Sequence, residues 1–164
     1  MAGLVGRLAV TPWFRVTAMN FYDSVSPEKI PAGSHACLYY DGLYAAKPAQ
    51  AKRFAAVRWI TVLGDYRHAG IADYEIGNPV YSKPGALRQY VQGRINLGLR
   101  ARVYCNRSTL PTVRSHLEGL NYLVWIGTLD GNKLSRNWTH GLWGVQFAGG
   151  QTAAYDTSIL YGVW

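Results

Sequence analysis

Eight short apolar runs, rich in Val, Ile, Tyr and Trp, recur along this chain at 16–22, 36–40, 58–63, 71–76, 101–105, 122–126, 142–147 and 153–156. Runs this short, bounded by turn residues, predict strands, because a helix needs about 10–12 residues to bury one face. Helix candidates with their own punctuation stand between several of them. Pro48 opens 49–56 at the first helical position, Pro84 opens 85–97 with Gly98 as the stop, and Ser108 caps 109–117 ahead of Gly119. Beyond Gly127 the helical pattern ends. Residues 128–140 read as a polar loop, and the last two strands are joined through 148–151.

Strands that alternate with helices are joined in parallel by right-handed crossovers, and eight of them are expected to close into a barrel. An open doubly wound sheet usually carries a glycine-rich phosphate turn after its first strand, and no Gly-x-Gly-x-x-Gly occurs here. A regular eightfold barrel takes about 250 residues, so a chain of 164 is expected to lack several outer helices. The predicted fold is α/β: an irregular TIM-like (β/α) barrel over 17–164 whose last strands are joined by loops, with 1–16 as an N-terminal arm or extension.

The apolar runs fall well short of the roughly 20 residues that span a bilayer, so no membrane partner is expected. Residues 1–16 have the apolar flavour of a signal peptide, but Arg7, Pro12 and Arg15 interrupt it and no small-residue cleavage site follows. Cys37 and Cys105 fall inside predicted strands, where a thiol acts as a small buried hydrophobe. Without a Cys-x-x-Cys or His-x-x-x-His spacing, no metal is expected. The formal net charge of +8 calls for an anionic partner or neighbourhood. Because Lys and Arg are scattered singly and form no nucleic-acid motif, the charge suits a phosphate-rich cell wall, or plain solubility, better than nucleic acid.

Charged residues make up only 16% of the chain, yet six of its nine acids sit at or just past the C-terminal end of an apolar run: Asp23, Asp41, Asp65, Asp73, Glu75 and Asp156. Carboxylates at strand ends carry a desolvation cost that random surface placement would avoid, and that end of the strands is the functional face of a parallel barrel. Asp73 and Glu75 are the sharpest pair. At i and i+2 of a strand they project into one space, while Ala72, Tyr74 and Ile76 point away. Two carboxyl groups held close cannot both ionise freely, so the pair is expected to supply a proton donor beside a permanent anion. Glycoside hydrolysis requires such a pair.

Taken in order, Phe21-Tyr22-Asp23-Ser24, Ile71-Ala72-Asp73-Tyr74-Glu75, Val103-Tyr104-Cys105-Asn106, Leu123-Val124-Trp125-Ile126, Leu142-Trp143-Gly144-Val145-Gln146 and Tyr155-Asp156 resemble glycoside hydrolase family 25. These are the lysozyme-type muramidases of bacteria and phages, together with related glycoside-hydrolase-like domains of actinobacteria and their phages. The resemblance implies an irregular barrel of five strand-helix units followed by three strands with little helix. It implies cleavage of peptidoglycan at the β-1,4 bond after N-acetylmuramic acid, with no cofactor. It assigns Glu75 as general acid, Asp73 as the anion that assists attack by the substrate's own N-acetyl group, and Asp23 and Asp156 as the other working carboxylates. Tyr104, Trp125 and Gln146 match lining positions, where flat side chains stack on sugars and an amide bonds hydroxyls. The chain departs from the family where Ser24 follows Asp23 directly instead of in Asp-x-Ser, and Asp41 and Asp65 have no family role; both stand as substrate-binding candidates.

Two function classes follow from the residues and the resemblance. One is a peptidoglycan hydrolase acting at the bacterial cell wall, free or carried in a phage virion. The other is a non-catalytic glycan-binding or structural virion module, tail- or capsid-associated, whose partners include other virion proteins.

Overall fold

The computed structural model describes residues 18–131, 141–150 and 153–161. Eight strands pair in sequence order and close into one barrel: β1 (Ala18–Asp23), β2 (His35–Tyr39), β3 (Ala56–Thr61), β4 (Ile71–Asp73), β5 (Arg102–Asn106), β6 (Leu123–Gly127), β7 (Leu142–Ala148) and β8 (Asp156–Tyr161). Strands β1 to β7 are parallel to their neighbours, whereas β8 runs antiparallel to both β7 and β1. The start of β8 therefore lies at the mouth where the other seven strands end.

Period-two alternation sorts the strand residues into an inner and an outer layer. Phe21, Cys37, Ile60, Ile71, Trp125 and Leu160 fill the barrel interior. The outward set, including Ala72, Val103, Cys105, Ile126 and Val145, packs under the helices α2 (Pro79–Ser82), α3 (Ala86–Asn96) and α4 (Leu110–His116) through Val80, Leu87, Val91 and Val113. A smaller outer cluster joins Ala36 and Leu38 of β2 to Ile30 and Phe54, beside α1 (Pro48–Ala51). Each fully buried aliphatic side chain contributes about 1.5–3 kcal/mol, so the two layers together hold the barrel shut without a disulfide. Cys37 and Cys105 are free and buried in different layers.

Several expectations need correction. The last strand is not 153–156 but Asp156–Tyr161. Thr157 and Ser158 break the apolar pattern there, yet Ser158 points inward, and its hydroxyl accepts a hydrogen bond from Trp125 Nε1 at 3.1 Å. Asp156 thus opens an antiparallel strand instead of ending a parallel one. Strand β4 stops at Asp73, and Glu75 lies just beyond it. Helix 49–56 shrinks to α1, because Phe54 turns into the outer core and Ala56 already belongs to β3. Ser108 does not cap α4. Its hydroxyl instead donates to Asn106 Oδ1 at 2.7 Å, which also accepts from Thr109 N at 2.9 Å in the turn ahead of the helix. Gly98 does stop α3, at φ 68°. The expected arm at 1–16, most of the polar loop and Gln151 of the last connection lie outside the described residues.

Candidate active site

Three strand ends bring four carboxylates to one place. Asp23 ends β1 and Asp156 begins β8, and the antiparallel register sets them directly opposite one another. Asp73 ends β4, and Glu75 follows it on the same side, while Tyr74 between them turns outward against Tyr81 and His116. All four line a cavity of about 50 Å³ at the barrel mouth, with Tyr39, Tyr104 and Gln146 as its polar walls and Ile60 and Trp125 as its floor.

Like charges opposite one another across a ladder repel, and Gln146 sits between them. Its Nε2 donates to Asp23 Oδ2 at 3.1 Å and to Asp156 Oδ2 at 3.1 Å, and the Tyr104 hydroxyl donates to its Oε1 at 2.6 Å. Because the Tyr104 hydroxyl donates to the amide carbonyl, the NH₂ group is left facing the two acids. Backbone groups hold the other side of Asp156: Gly150 N donates to its Oδ1 at 2.6 Å. A Cβ on Gly149 would collide with that carboxylate, and one on Gly127 would come within 2.5 Å of the Tyr104 hydroxyl oxygen. Both positions require glycine because a carboxylate or a phenol occupies the space.

Burial is the largest influence on every one of these acids, and it disfavours the charged form. The Asp23 carboxyl lies well above the usual range because it is buried and then because Asp156 is close, with the Gln146 hydrogen bond opposing. Asp73, 2% exposed, is pushed up to about 8 by burial and then by Glu75, against hydrogen bonds from Tyr39 and Asn78. Glu75 is raised by burial and by Asp156, with Tyr104 opposing, and Asp156 by burial, with Gly150 N opposing. Tyr39 and Tyr104 are raised as well, by burial and by the surrounding acids, and stay as donors.

The permanent anion expected at Asp73 is therefore corrected. Its Oδ2 accepts from the Tyr39 hydroxyl at 3.3 Å, but its Oδ1 is buried and meets no hydrogen-bond partner among the described residues. An unpaired buried carboxylate oxygen is costly, so burial and the nearby Glu75 favour the protonated form of Asp73. Partly exposed Glu75 is the member of the pair that solvent can reach.

Asp41 and Asp65 do not join the group. Asp41 accepts from the Thr61 hydroxyl and from Val62 N at 2.8 Å, stapling the loop after β2 to the end of β3. Asp65 accepts from Arg67 N at 2.9 Å and from His68 Nδ1 at 2.9 Å. Burial would raise its carboxyl, but the bonds from His68 and Arg67 bring it below the usual value. Trp125 is corrected too. At 1% exposure it is packed edge-on to Tyr104 and Trp143 in the barrel interior and offers no face to a sugar. Tyr39 was missed, although its inward phase with Cys37 is visible in the alternation of β2. Among the described residues, most of the large apolar side chains left exposed lie past the strand ends at the same mouth, at Val25, Tyr40, Leu43, Tyr44, Leu63, Ile76 and Leu129, while Leu97 and Leu99 are exposed at the other end, ahead of β5. No family model, curated protein or solved structure matches this chain.

Proposed function

We propose that this protein is a glycoside hydrolase of the muramidase type, built on an irregular TIM-like (β/α) barrel and acting on peptidoglycan or a related anionic wall glycan. One observation carries the reading: Asp23, Asp73, Glu75 and Asp156 share a single notch, and burial raises all four. Four carboxyl groups that resist ionisation at one place cost stability, and a scaffold serving only to hold a loop has no use for them.

In this mechanism Asp73 and Glu75 titrate as a coupled pair, so the proton belongs to both. Glu75 delivers it to the leaving oxygen, because Glu75 is the exposed member. The charge that remains on the pair then faces the developing oxocarbenium-like centre. Gln146 keeps Asp23 and Asp156 in place, and Tyr39 fixes Asp73. The test is turbidity loss and released reducing sugar on purified bacterial walls, wild type against Glu75→Gln. Release that depends on Glu75 supports the reading, and release unchanged by the substitution removes Glu75 from its role.

A non-catalytic glycan-binding or structural virion module is the second reading. It is favoured by the size of the notch, about 50 Å³, against the roughly 300 Å³ at which ligand pockets begin. Wall binding without any release of reducing sugar selects it.

A further inference from the structure

Beside the acid notch lies a larger pocket of about 370 Å³, and Tyr39 is the wall they share. The pocket is built from the loops that follow β2, β3 and β4. Its rim carries Leu43, Tyr44 and Leu63, exposed at 87%, 50% and 53%. Besides the two tyrosine hydroxyls, its polar side chains are Asp41 and Asn78. Asn78 donates its amide to the backbone oxygen of Asp73 at 3.3 Å, and among the described residues no donor meets its Oδ1. The same residue therefore touches the acid strand and leaves an acceptor for a ligand.

The pocket is held by its own framework. Asp41 ties the loop after β2 to β3, Ala46 N donates to Tyr39 O at 2.8 Å, and Val80 N donates to Val62 O at 2.9 Å. Gly42 adopts φ 78°, and a Cβ there would run into the Val62 side chain, so this loop can lie against β3 only with glycine. Rigid loops that hold an aromatic ring, aliphatic edges and a few fixed polar groups match the general make-up of a small-ligand site. The ring and the amide select the ligand: a sugar ring has an apolar face to lay on Tyr44 and hydroxyl or acetamido donors to offer Asn78 and Asp41.

We propose that this pocket is a saccharide subsite, holding one further sugar unit of the same β-1,4 chain whose neighbouring residue lies over Asp73 and Glu75. The inference rests on the glycoside hydrolase reading for the direction of the chain, while the sugar contact itself is independent of catalysis. Asp41, which stands outside the acid notch, acquires a place here as both staple and wall.

The test uses the full chain carrying Glu75→Gln, titrated calorimetrically with chitobiose and chitotetraose, and with maltotetraose as a control of different linkage. Chitotetraose should bind more tightly than chitobiose. Adding Tyr44→Ala should weaken chitotetraose about five- to tenfold, the loss of one stacked ring, and leave chitobiose unchanged, and Tyr44→Phe should restore tight binding. Chitotetraose binding that is indifferent to Tyr44→Ala, or no binding of either chito-oligosaccharide, overturns the subsite. The two readings fail separately. Tyr44-dependent binding by a protein that never cleaves walls sinks the hydrolase and keeps the subsite, and Glu75-dependent cleavage with an unchanged KM in Tyr44→Ala does the reverse.

Discussion

The two ends of the barrel bury opposite charges and relieve them in opposite ways. At the mouth four carboxyl groups converge, and all four shift toward the neutral form. At the other end, Arg102 is lowered to about 10 by burial and then by Arg58, Arg94 and Arg100. An arginine at that value is still charged at neutral pH, so the base is eased by geometry instead of by titration. Arg102 stacks on Trp143 with its guanidinium 4.5 Å from the ring centroid, and Arg94 donates to the carbonyls of Arg100 and Tyr66, each at 3.2 Å. Carboxylates crowded together can take up a proton and become donors, whereas crowded guanidinium groups can only be propped apart. The groups that can take up or release a proton near neutral pH therefore stand at the mouth, while Arg102 at the base stays charged.

This contrast can be broken in four places. The largest effect expected is on wall hydrolysis: Glu75→Gln should lower it by about 100-fold or more, measured as reducing sugar released, while the base variant Arg102→Met retains it. Next is the clamp. Gln146→Leu removes the donor shared by Asp23 and Asp156 and should cost about 1–3 kcal/mol by urea denaturation at pH 8. The loss should be smaller at pH 4, where protonated acids can bond each other, and equal losses at both pH values would show that Gln146 merely fills space.

The third effect is on stability against pH. An acid whose folded value is raised imposes no penalty below its unfolded value, and the full penalty once the pH exceeds its folded value. For Asp73 the stability loss should accumulate from about pH 4 to about pH 8. Asp73→Asn should therefore raise Tm by about 5 °C at pH 8 and hardly at all at pH 4, read by calorimetry. An increase of the same size at both pH values would place its origin outside titration. The smallest effect belongs to the base. A lowered arginine carries its penalty in full at every pH below about 10, and stability recovers only as the pH climbs from there toward the unfolded value. Arg102→Met should change Tm by a constant, small amount between pH 4 and 9, and a slope over that range would erase the distinction between the two ends.

The mouth was more legible in the sequence than the base. Asp23, Asp73 and Glu75 stand at run ends where alternation alone sets their direction, and the barrel brings them together as that alternation implies. Asp156 stands at the end of an apolar run in sequence but at the start of a strand in the fold, because β8 begins where that run stops. Ser158 hides that strand: a polar residue can face a barrel interior when Trp125 supplies its partner, and no periodicity registers such a pairing. Asp41 and Asp65 look the same in sequence as the four acids of the notch. They differ only in what lies opposite, which is the backbone and Thr61 for one and His68 for the other. The arginine base had no signature, because Arg58, Arg94, Arg100 and Arg102 arrive from two strands, a helix and a loop.

The sequence by itself determined the first seven strands, their inward and outward faces and the helix stop at Gly98, because these follow from local periodicity and backbone sterics. Tertiary structure alone decided that β8 closes the barrel in the opposite direction, that Gln146 stands between Asp23 and Asp156, and that Asp73 is buried deeply enough to favour its protonated form. Each of those depends on distances between residues far apart in the chain, and the energy of a charge depends on what surrounds it in space.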